Sequence, residues 1–275
     1  MLYLVSTPIG NLKDMSPRAQ EVLEAADLVA CEDTRTSRSL FNLLGIHVKA
    51  TIAYHDHNAD EARPKLIQKL KQGINVALVS DAGTPLVSDP GYKLVRDCIK
   101  EGIKVSTVPG ANAVLSALQL SGLSSASFYF GGFLPTKQGA RKTHLDAVKN
   151  LKATLIFYES PNRLIKALQD ILDVYGNREM AVVREITKKF EETKKDSVTN
   201  LITHYILNGE PKGEIVLVID GASESPEPTQ ELDWSKLIKT VRPKYPTKKA
   251  AEILAQQTGH NKKEIYQLIL AHEKK

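Results

Sequence analysis

Residues 75–85 read Asn-Val-Ala-Leu-Val-Ser-Asp-Ala-Gly-Thr-Pro, and this stretch is the clearest indication of the fold class. Its first half is a short, continuously apolar run, and its second half is a loop of small residues with one carboxylate, Asp81. A strand that is apolar on both faces is typical of a parallel sheet covered by helices on both sides. Because ligands of such sheets bind at the carboxyl ends of the strands, the loop predicts part of a small-molecule site in an α/β enzyme.

Short apolar runs alternate with amphipathic stretches on both sides of this loop, which predicts a mostly parallel α/β sheet. The first series ends at the polar stretch 121–125, and a second series with more mixed strand directions follows. Strands are predicted over residues 2–7, 28–32, 50–54, 75–80, 104–108, 128–131, 154–158, 180–185, 194–198 and 214–220, with helices over 17–26, 36–44, 59–71, 90–100, 111–120, 142–151, 163–175 and 200–208.

The last part of the chain has a different composition. Residues 221–233 are polar and contain proline, which predicts a linker, and two helices separated by a glycine-containing turn end the chain. This pattern fits either a separate helix-turn-helix-like module or a helical hairpin docked on the body, and the long linker favours the first. The predicted domains are an α/β domain over 1–120, a second over 121–220, the linker over 221–233 and a basic helical module over 234–275.

The net charge of +5 is concentrated in this predicted module, which holds ten Lys or Arg and three Glu. A nearly neutral body with a basic end indicates binding to a polyanion, although surplus lysines on a solvated surface helix give the same pattern.

Composition also limits the class of protein. Of the 275 residues, 42% are hydrophobic and 25% charged, as in globular proteins. No apolar run is long enough to span a bilayer, and residues 1–6 enter a strand without a basic segment or a cleavage site. Cys31 and Cys98 fall in apolar surroundings, which indicates reduced packing residues. We therefore expect a cytoplasmic protein with no membrane partner.

Four loops follow predicted strands of the first domain, over residues 6–12, 31–36, 80–91 and 108–113. Each one alone is also typical of a simple turn, and none contains a P-loop or the G-x-G-x-x-G fingerprint. Asp89-Pro90 additionally has the pattern of a helix start, with Asp89 as the cap. Four such loops at one sheet edge, however, predict a binding site rather than turns alone.

Taken together, several segments resemble the tetrapyrrole methylase superfamily of S-adenosylmethionine-dependent methyltransferases. Within it, they resemble the bacterial branch that methylates the ribose 2′-oxygen of a cytidine in 16S ribosomal RNA. The segments that carry the resemblance are residues 6–12, 32–35, 80–85, 108–111, 157–163 and 184–185.

The resemblance implies two α/β/α domains with a cleft that holds the methyl donor, S-adenosylmethionine, usually in a homodimer. It also implies 16S rRNA of the small ribosomal subunit as the partner. Tetrapyrrole-modifying members commonly carry a G-x-G-x-G-D pattern in the first loop, where this chain has Thr-Pro-Ile-Gly-Asn at residues 7–11. This departure favours the RNA branch. The alternatives are a methylase of a small precorrin or uroporphyrin-type tetrapyrrole and a non-enzymatic RNA-binding assembly factor.

By position, the resemblance implies a set of residues around the methyl donor. These donor-binding candidates are Pro8, Asp81, Gly83, Thr84, Val87, Ser88, Pro109, Gly110, Ser116, Tyr158, Lys212, Gly213 and Glu214.

Methyl transfer to a ribose hydroxyl needs a group that takes the hydroxyl proton and a cation near the developing alkoxide. The position of Glu159 and Glu185 at strand ends predicts one of them as the base. Arg35 and Arg163 are predicted to bind phosphate or ribose through bidentate hydrogen bonds. No metal is predicted, because the nearest approach to a ligand set, His55-Asp56-His57, lacks a third ligand of suitable spacing.

Overall fold

The computed structural model describes residues 1–222 and 232–273, which form two compact units. The first consists of residues 1–116 together with 186–189, and the second of the remaining described chain. Both units are α/β, as predicted. Residues 223–231 of the predicted linker lie outside the described residues. The other predicted domain limits and the cleft stay predictions.

The first unit is built on a five-stranded sheet in the order β3-β2-β4-β1-β5, in which every pairing is parallel. The central strand β4 is buried along its whole length, and its position between β2 and β1 puts the following loop in the middle of the carboxyl edge. The elements are β1 (Leu2–Val5), α1 (Pro17–Ala25), β2 (Leu28–Cys31), α2 (Thr34–Leu44), β3 (Thr51–Ala53), α3 (Ala59–Lys71), β4 (Val76–Val79), α4 (Tyr92–Lys100), β5 (Val105–Val108) and α5 (Ala113–Ser121), whose last residues belong to the second unit.

Local chemistry sets several helix limits in this unit. The side chains of Ser16 and Asp33 cap α1 and α2 by accepting backbone N–H groups of their first turns. Gly45 ends α2 in the left-handed conformation, with φ 68°. Cys31 and Cys98 are buried free thiols in the apolar layers on either side of the sheet, as predicted.

The second unit has a mixed sheet in the order β6-β7-β10-β8-β9, in which only β6 and β7 are parallel. Because β10 runs antiparallel to both neighbours, the loop before it lies beside the carboxyl ends of β7 and β8. The elements are β6 (Phe128–Phe133), α6 (Gln138–Asp146), β7 (Thr154–Glu159), α7 (Leu164–Tyr175), β8 (Glu179–Arg184), β9 (Glu192–Ser197), α8 (Val198–Asn208), β10 (Ile215–Ile219), α9 (Trp234–Val241), α10 (Thr247–Thr258) and α11 (Lys262–Glu273).

Helix α6 begins four residues before the predicted start at residue 142. A buried ion pair explains the difference, because Arg141 on its first turn donates from Nε to Asp170 Oδ2 of α7 at 2.7 Å. Arg141 also donates to the Pro135 and Thr136 carbonyls, and Gln138 donates to the other Asp170 oxygen at 2.9 Å. The first turn of α6 is therefore fixed by polar contacts that an apolar pattern does not reveal.

Helices α9, α10 and α11, here called the tail helices, share one hydrophobic core with the rest of the second unit. Leu237 and Ile238 of α9 and Leu254 of α10 are buried in the same cluster as Leu168 of α7 and Ile202 of α8. Helix α9 packs on α8, and α10 packs on α7. Of the two alternatives left open by the sequence, this packing matches the hairpin docked on the body.

We expect Leu254→Ala to lower the free energy of unfolding by about 3 kcal/mol, because the substitution opens a cavity in this shared core. Leu268→Ala on the next helix is the matched control, since Leu268 is 41% exposed and should cost less than about 0.5 kcal/mol. Urea denaturation followed by circular dichroism measures both. Equal effects for the two variants would contradict the shared core.

Candidate active site

The loops after β1 and β4 of the first unit are joined by backbone hydrogen bonds. The Thr7 N–H donates to the Gly83 carbonyl at 2.9 Å, and the Gly83 N–H donates back to the Thr7 carbonyl at 3.1 Å. The Thr7 hydroxyl also donates to the Ser80 carbonyl at 3.3 Å. Gly83 has φ 86°, a left-handed backbone conformation that residues other than glycine adopt only with strain.

The loop after β5 is held against the same two loops. The Thr84 hydroxyl donates to the Ala111 carbonyl at 3.0 Å, and the Ser6 hydroxyl donates to Thr84 Oγ1 at 3.3 Å. A Cβ on Gly110 would lie 2.9 Å from Ser6 Cβ, so the backbones approach as closely as glycine allows. These contacts join three loops into one wall at the carboxyl edge.

The structure thus brings most of the donor-binding candidates of the first unit together. Pro8, Asp81, Gly83, Thr84, Pro109 and Gly110 lie on or next to the joined loops. Val87 and Ser88 continue the β4 loop, while Ser116 lies one turn inside α5.

Asp81 connects this wall to the loop after β2. Its carboxylate Oδ1 accepts the Asp33 N–H at 3.1 Å, and its own N–H donates to Glu32 Oε2 at 3.3 Å. Burial raises the pKa of Glu32, and the nearby Asp81 carboxylate adds to the shift. The Asp81 side chain therefore orders two loops, whatever ligand it contacts.

Asp89 does not cap a helix, so the helix start predicted at Asp89-Pro90 is wrong. Helix α4 begins at Tyr92, after Gly91 with φ 135°. The chain turns sharply before it, because Leu86 and Ser88 both have positive φ angles, 74° and 66°. Burial, together with the Glu32 carboxylate, raises the pKa of Asp89 to about 6. The Asp89 carboxyl group therefore lies near the Glu32 and Asp81 carboxylates.

We expect Asp89→Asn to stabilise the protein at pH 7 and to have little effect at pH 4. The folded-state pKa lies above the unfolded value of about 3.9, so the stability that Asp89 contributes is present below about pH 4 and is lost as the pH rises to about 6. Urea midpoints at the two pH values measure the difference. Asp14→Asn, at an exposed position, is the control, and an Asp89→Asn midpoint that follows wild type at both pH values would refute the expectation.

Arg35 projects from the first turn of α2 into solvent, where its side chain is 90% exposed. Its guanidinium donates to Asp33 through Nη2 at 2.9 Å, and this hydrogen bond holds the pKa of Asp33 down to about 2. The cation is therefore oriented by its neighbour and accessible to an anionic partner.

In the second unit, Glu159 is completely buried at the end of β7 and holds Arg163. Glu159 Oε1 accepts the Ser160 N–H at 2.6 Å and Arg163 Nε at 2.8 Å. The other carboxylate oxygen, Oε2, is buried without a hydrogen-bond partner among the described residues. Since a base must reach the substrate hydroxyl, this geometry favours a positioning role for Glu159.

Glu185 lies at the end of β8, beside the loop before β10. Its Oε1 accepts the Glu214 N–H at 3.1 Å, and a Cβ on Gly213 would overlap its carboxylate. Gly213 has φ 94° and Glu185 has φ 50°. The structure thus brings Glu185 together with the candidates Lys212, Gly213 and Glu214, and the Glu185 side chain is partly exposed.

Tyr158 lies on the opposite face of β7 from Glu159. Its ring packs edge-to-face on Phe130 at 4.9 Å and on Phe133 at 5.2 Å between ring centroids. Phe133 is itself 61% exposed. Tyr158 therefore belongs to a small aromatic surface with Phe130 and Phe133.

Sequence reasoning missed the contribution of residues 186–189 to the first unit. The aliphatic part of Lys188 lies across Gly10 so closely that a Cβ there would overlap it. Glycine at position 10 is the only signal of this contact, and a single glycine does not name its neighbour. Thr7 and Ala111, whose backbones join the loops, were also missed.

Two further features of the described residues concern metal binding and membranes. Within residues 1–222 and 232–273, no group of three His, Cys, Asp or Glu side chains is arranged to hold a metal ion. No helix in the same ranges is both long and apolar enough to cross a bilayer.

Residues 1–202 match the family described as tetrapyrrole (corrin/porphyrin) methylases, and the chain belongs to this family of methyltransferases. Across 98% of its length it is 49% identical to the ribosomal RNA small subunit methyltransferase I of Mesorhizobium japonicum, of which it covers 91%. Over its whole length it is 44% identical to the enzyme of the same name from Haemophilus influenzae, covering 98% of that protein. The resemblance inferred from the sequence is thereby confirmed.

The fold class is confirmed as well. A uroporphyrin-III C-methyltransferase from Thermus thermophilus, solved with S-adenyl homocysteine, superposes with a TM-score of 0.53. The match covers 80% of this chain and 96% of that one at 18% identity, so it bears on the fold alone.

Proposed function

We propose that the protein transfers a methyl group from S-adenosylmethionine to the ribose 2′-hydroxyl of a cytidine in 16S ribosomal RNA. The observation that carries the proposal is the match, along almost the entire chain, to relatives named for methylation of small-subunit ribosomal RNA. The cytidine and the 2′-oxygen come from the resemblance of the sequence motifs.

The first loop also supports an RNA substrate over a tetrapyrrole. Residues 7–11 lack the G-x-G-x-G-D pattern common in tetrapyrrole-modifying members. The likeness to a uroporphyrin methyltransferase is confined to the fold. Because one fold can host different substrates, that likeness does not favour a porphyrin.

The joined loops of the first unit suit a methyl donor with an adenine, a ribose and an amino-acid end. Gly83 and Gly110 let the backbone approach a ligand closely, so that main-chain N–H and C=O groups are available to it. We assign donor binding to this wall, with Asp81 at its rim. Tyr158 and residues 212–214 are proposed as further donor contacts.

When bound, the donor supplies an electrophilic methyl group on a sulfonium, which an oxygen attacks in line. The residues of the chain then have to orient the ribose and accept the hydroxyl proton. We assign the proton to a Glu185 carboxylate oxygen, since Glu159 is buried against Arg163. Arg35 and Arg163 would hold phosphate or ribose through guanidinium hydrogen bonds.

The proposal extends to the setting of the reaction. We expect the substrate to be 16S rRNA within the small ribosomal subunit, in the cytoplasm, and the protein to act as a homodimer.

The test is transfer of a labelled methyl group to small ribosomal subunits isolated from a strain that lacks this protein. We expect stoichiometric labelling of one ribose, located by nuclease digestion and mass spectrometry. Labelling of a base, or no labelling despite S-adenosylmethionine binding in calorimetry, would overturn the proposed reaction. Labelling of uroporphyrinogen instead would favour the tetrapyrrole alternative.

A further inference from the structure

A small cavity in the second unit shares no lining residue with the candidate active site. It has a volume of about 240 Å³ and is formed by the edge strand β9, helix α8 and the first tail helix, α9. Most of its lining is polar, and it consists of Lys194, Asp196, Asn200, His204, Leu207, Asn208 and Lys236.

The charge around this cavity is unbalanced in favour of cations. Lys194 and Lys236 both line the cavity, and neither ammonium group has an ion-pair partner within the described residues. Of the two nearby carboxylates in the described chain, only Glu192 pairs with another cation, by accepting Arg184 Nε at 2.6 Å. Asp196 accepts the Ser197 N–H and Asn200 Nδ2, both at 2.8 Å. Two ammonium groups and one carboxylate in the lining leave the cavity with a net positive charge, which indicates a site for an anion.

His204 adds a neutral hydrogen-bond donor. Asn208 Nδ2 lies 3.2 Å from His204 Nδ1, and because an amide nitrogen only donates, Nδ1 accepts and the proton is on Nε2. Burial lowers the pKa of His204, and the Lys194 and Lys236 cations lower it further. At neutral pH the imidazole is therefore uncharged, and its Nε2–H is available to an acceptor.

We propose that this cavity binds a phosphate group of the RNA backbone, with Lys194 and Lys236 as its cationic ligands. The inference rests on the proposed function, because an RNA substrate supplies the phosphate. The volume is below the 300–1,000 Å³ typical of drug-sized ligands and suits a single anionic group. Lys239, one turn beyond Lys236 on α9 and exposed, would continue the phosphate path along the tail helices. The tail helices thus complete a core and supply an RNA contact.

The experiment compares the wild type with Lys194→Gln/Lys236→Gln, using small ribosomal subunits that lack the modification. We expect the double variant to bind the subunits about tenfold more weakly, with KM raised to match. The slope of log Kd against log salt should fall by roughly 1 to 2, as expected for one or two lost phosphate contacts. The kcat at saturating subunits and the Kd for S-adenosylmethionine should stay at wild-type values.

Lys71→Gln and Lys262→Gln are the matched controls, because these lysines already pair with Glu101 and Glu252. Both should bind subunits as the wild type does, and a urea midpoint for each variant shows that the fold is intact. A folded double variant with wild-type Kd and salt slope would overturn the inference. Methyl transfer to the subunits by the wild-type protein tests the proposed function separately. Failure of the cavity inference can therefore be distinguished from failure of the proposed function. The inference would also be overturned if the wild type and the double variant bound inorganic phosphate equally tightly and the double substitution had no effect on subunit binding.

Discussion

Glu185→Gln is expected to lower kcat for methyl transfer about 100-fold or more, which is the range for loss of a general base. Glutamine keeps an oxygen that can accept the Glu214 N–H, so the loop before β10 should retain its conformation. The amide cannot take a proton from the ribose hydroxyl. The Kd for S-adenosylmethionine and the KM for subunits should therefore change little. Single-turnover transfer of labelled methyl groups measures the chemical step.

Glu159→Gln is the informative comparison. Because Glu159 is buried and its carboxylate holds the Arg163 guanidinium, this variant should lose stability and keep kcat within a few fold at a temperature where it is folded. The reverse result, with Glu185→Gln active and a folded Glu159→Gln inactive, would move the base to Glu159. Near-wild-type kcat in both folded variants would remove both residues from the role.

Asp170→Ala is expected to destabilise the second unit by about 4 kcal/mol, because it leaves the Arg141 guanidinium buried without its counter-charge. The side chains of Arg141 and Asp170 are 4% and 0% exposed, and their ion pair spans α6 and α7. The expected readout is a large decrease in the urea midpoint.

Asp173→Ala, one turn further along α7, is the control. Asp173 pairs with Lys142 at 2.7 Å on the surface, where an ion pair contributes less than about 1 kcal/mol. We also expect Arg141→Met/Asp170→Leu to recover much of the lost stability, since removing both charges leaves none uncompensated. A double variant no more stable than Asp170→Ala would show that the geometry of the pair, rather than its charge, matters.

The sequence predicted the first unit well because its strands are apolar on both faces and its loops contain glycine and proline. Strand β4 and the loop after it could be located from residues 75–85 alone. The second unit was predicted less well. The start of α6 depends on the Arg141–Asp170 pair, which joins residues 29 positions apart and leaves no periodic signal in the chain.

The candidate site was predictable in its positions and less so in its roles. Loops at strand ends point to the right edge of each sheet, and glycines such as Gly83 and Gly213 mark close approaches. Whether a carboxylate is buried against a cation or partly exposed depends on tertiary packing. Glu159 and Glu185 therefore looked equivalent in the sequence and differ in the structure.

The shared core of the second unit also sets the order in which the protein can fold during synthesis. All five strands of the first sheet lie before residue 110, so that sheet can form early while the chain is still being translated. The core of the second unit, in contrast, includes residues of the tail helices, such as Leu237, Leu254 and Ile269. Until these residues leave the ribosome, the apolar faces of α7 and α8 stay uncovered, and the nascent chain passes through a stage in which aggregation or chaperone binding competes with folding.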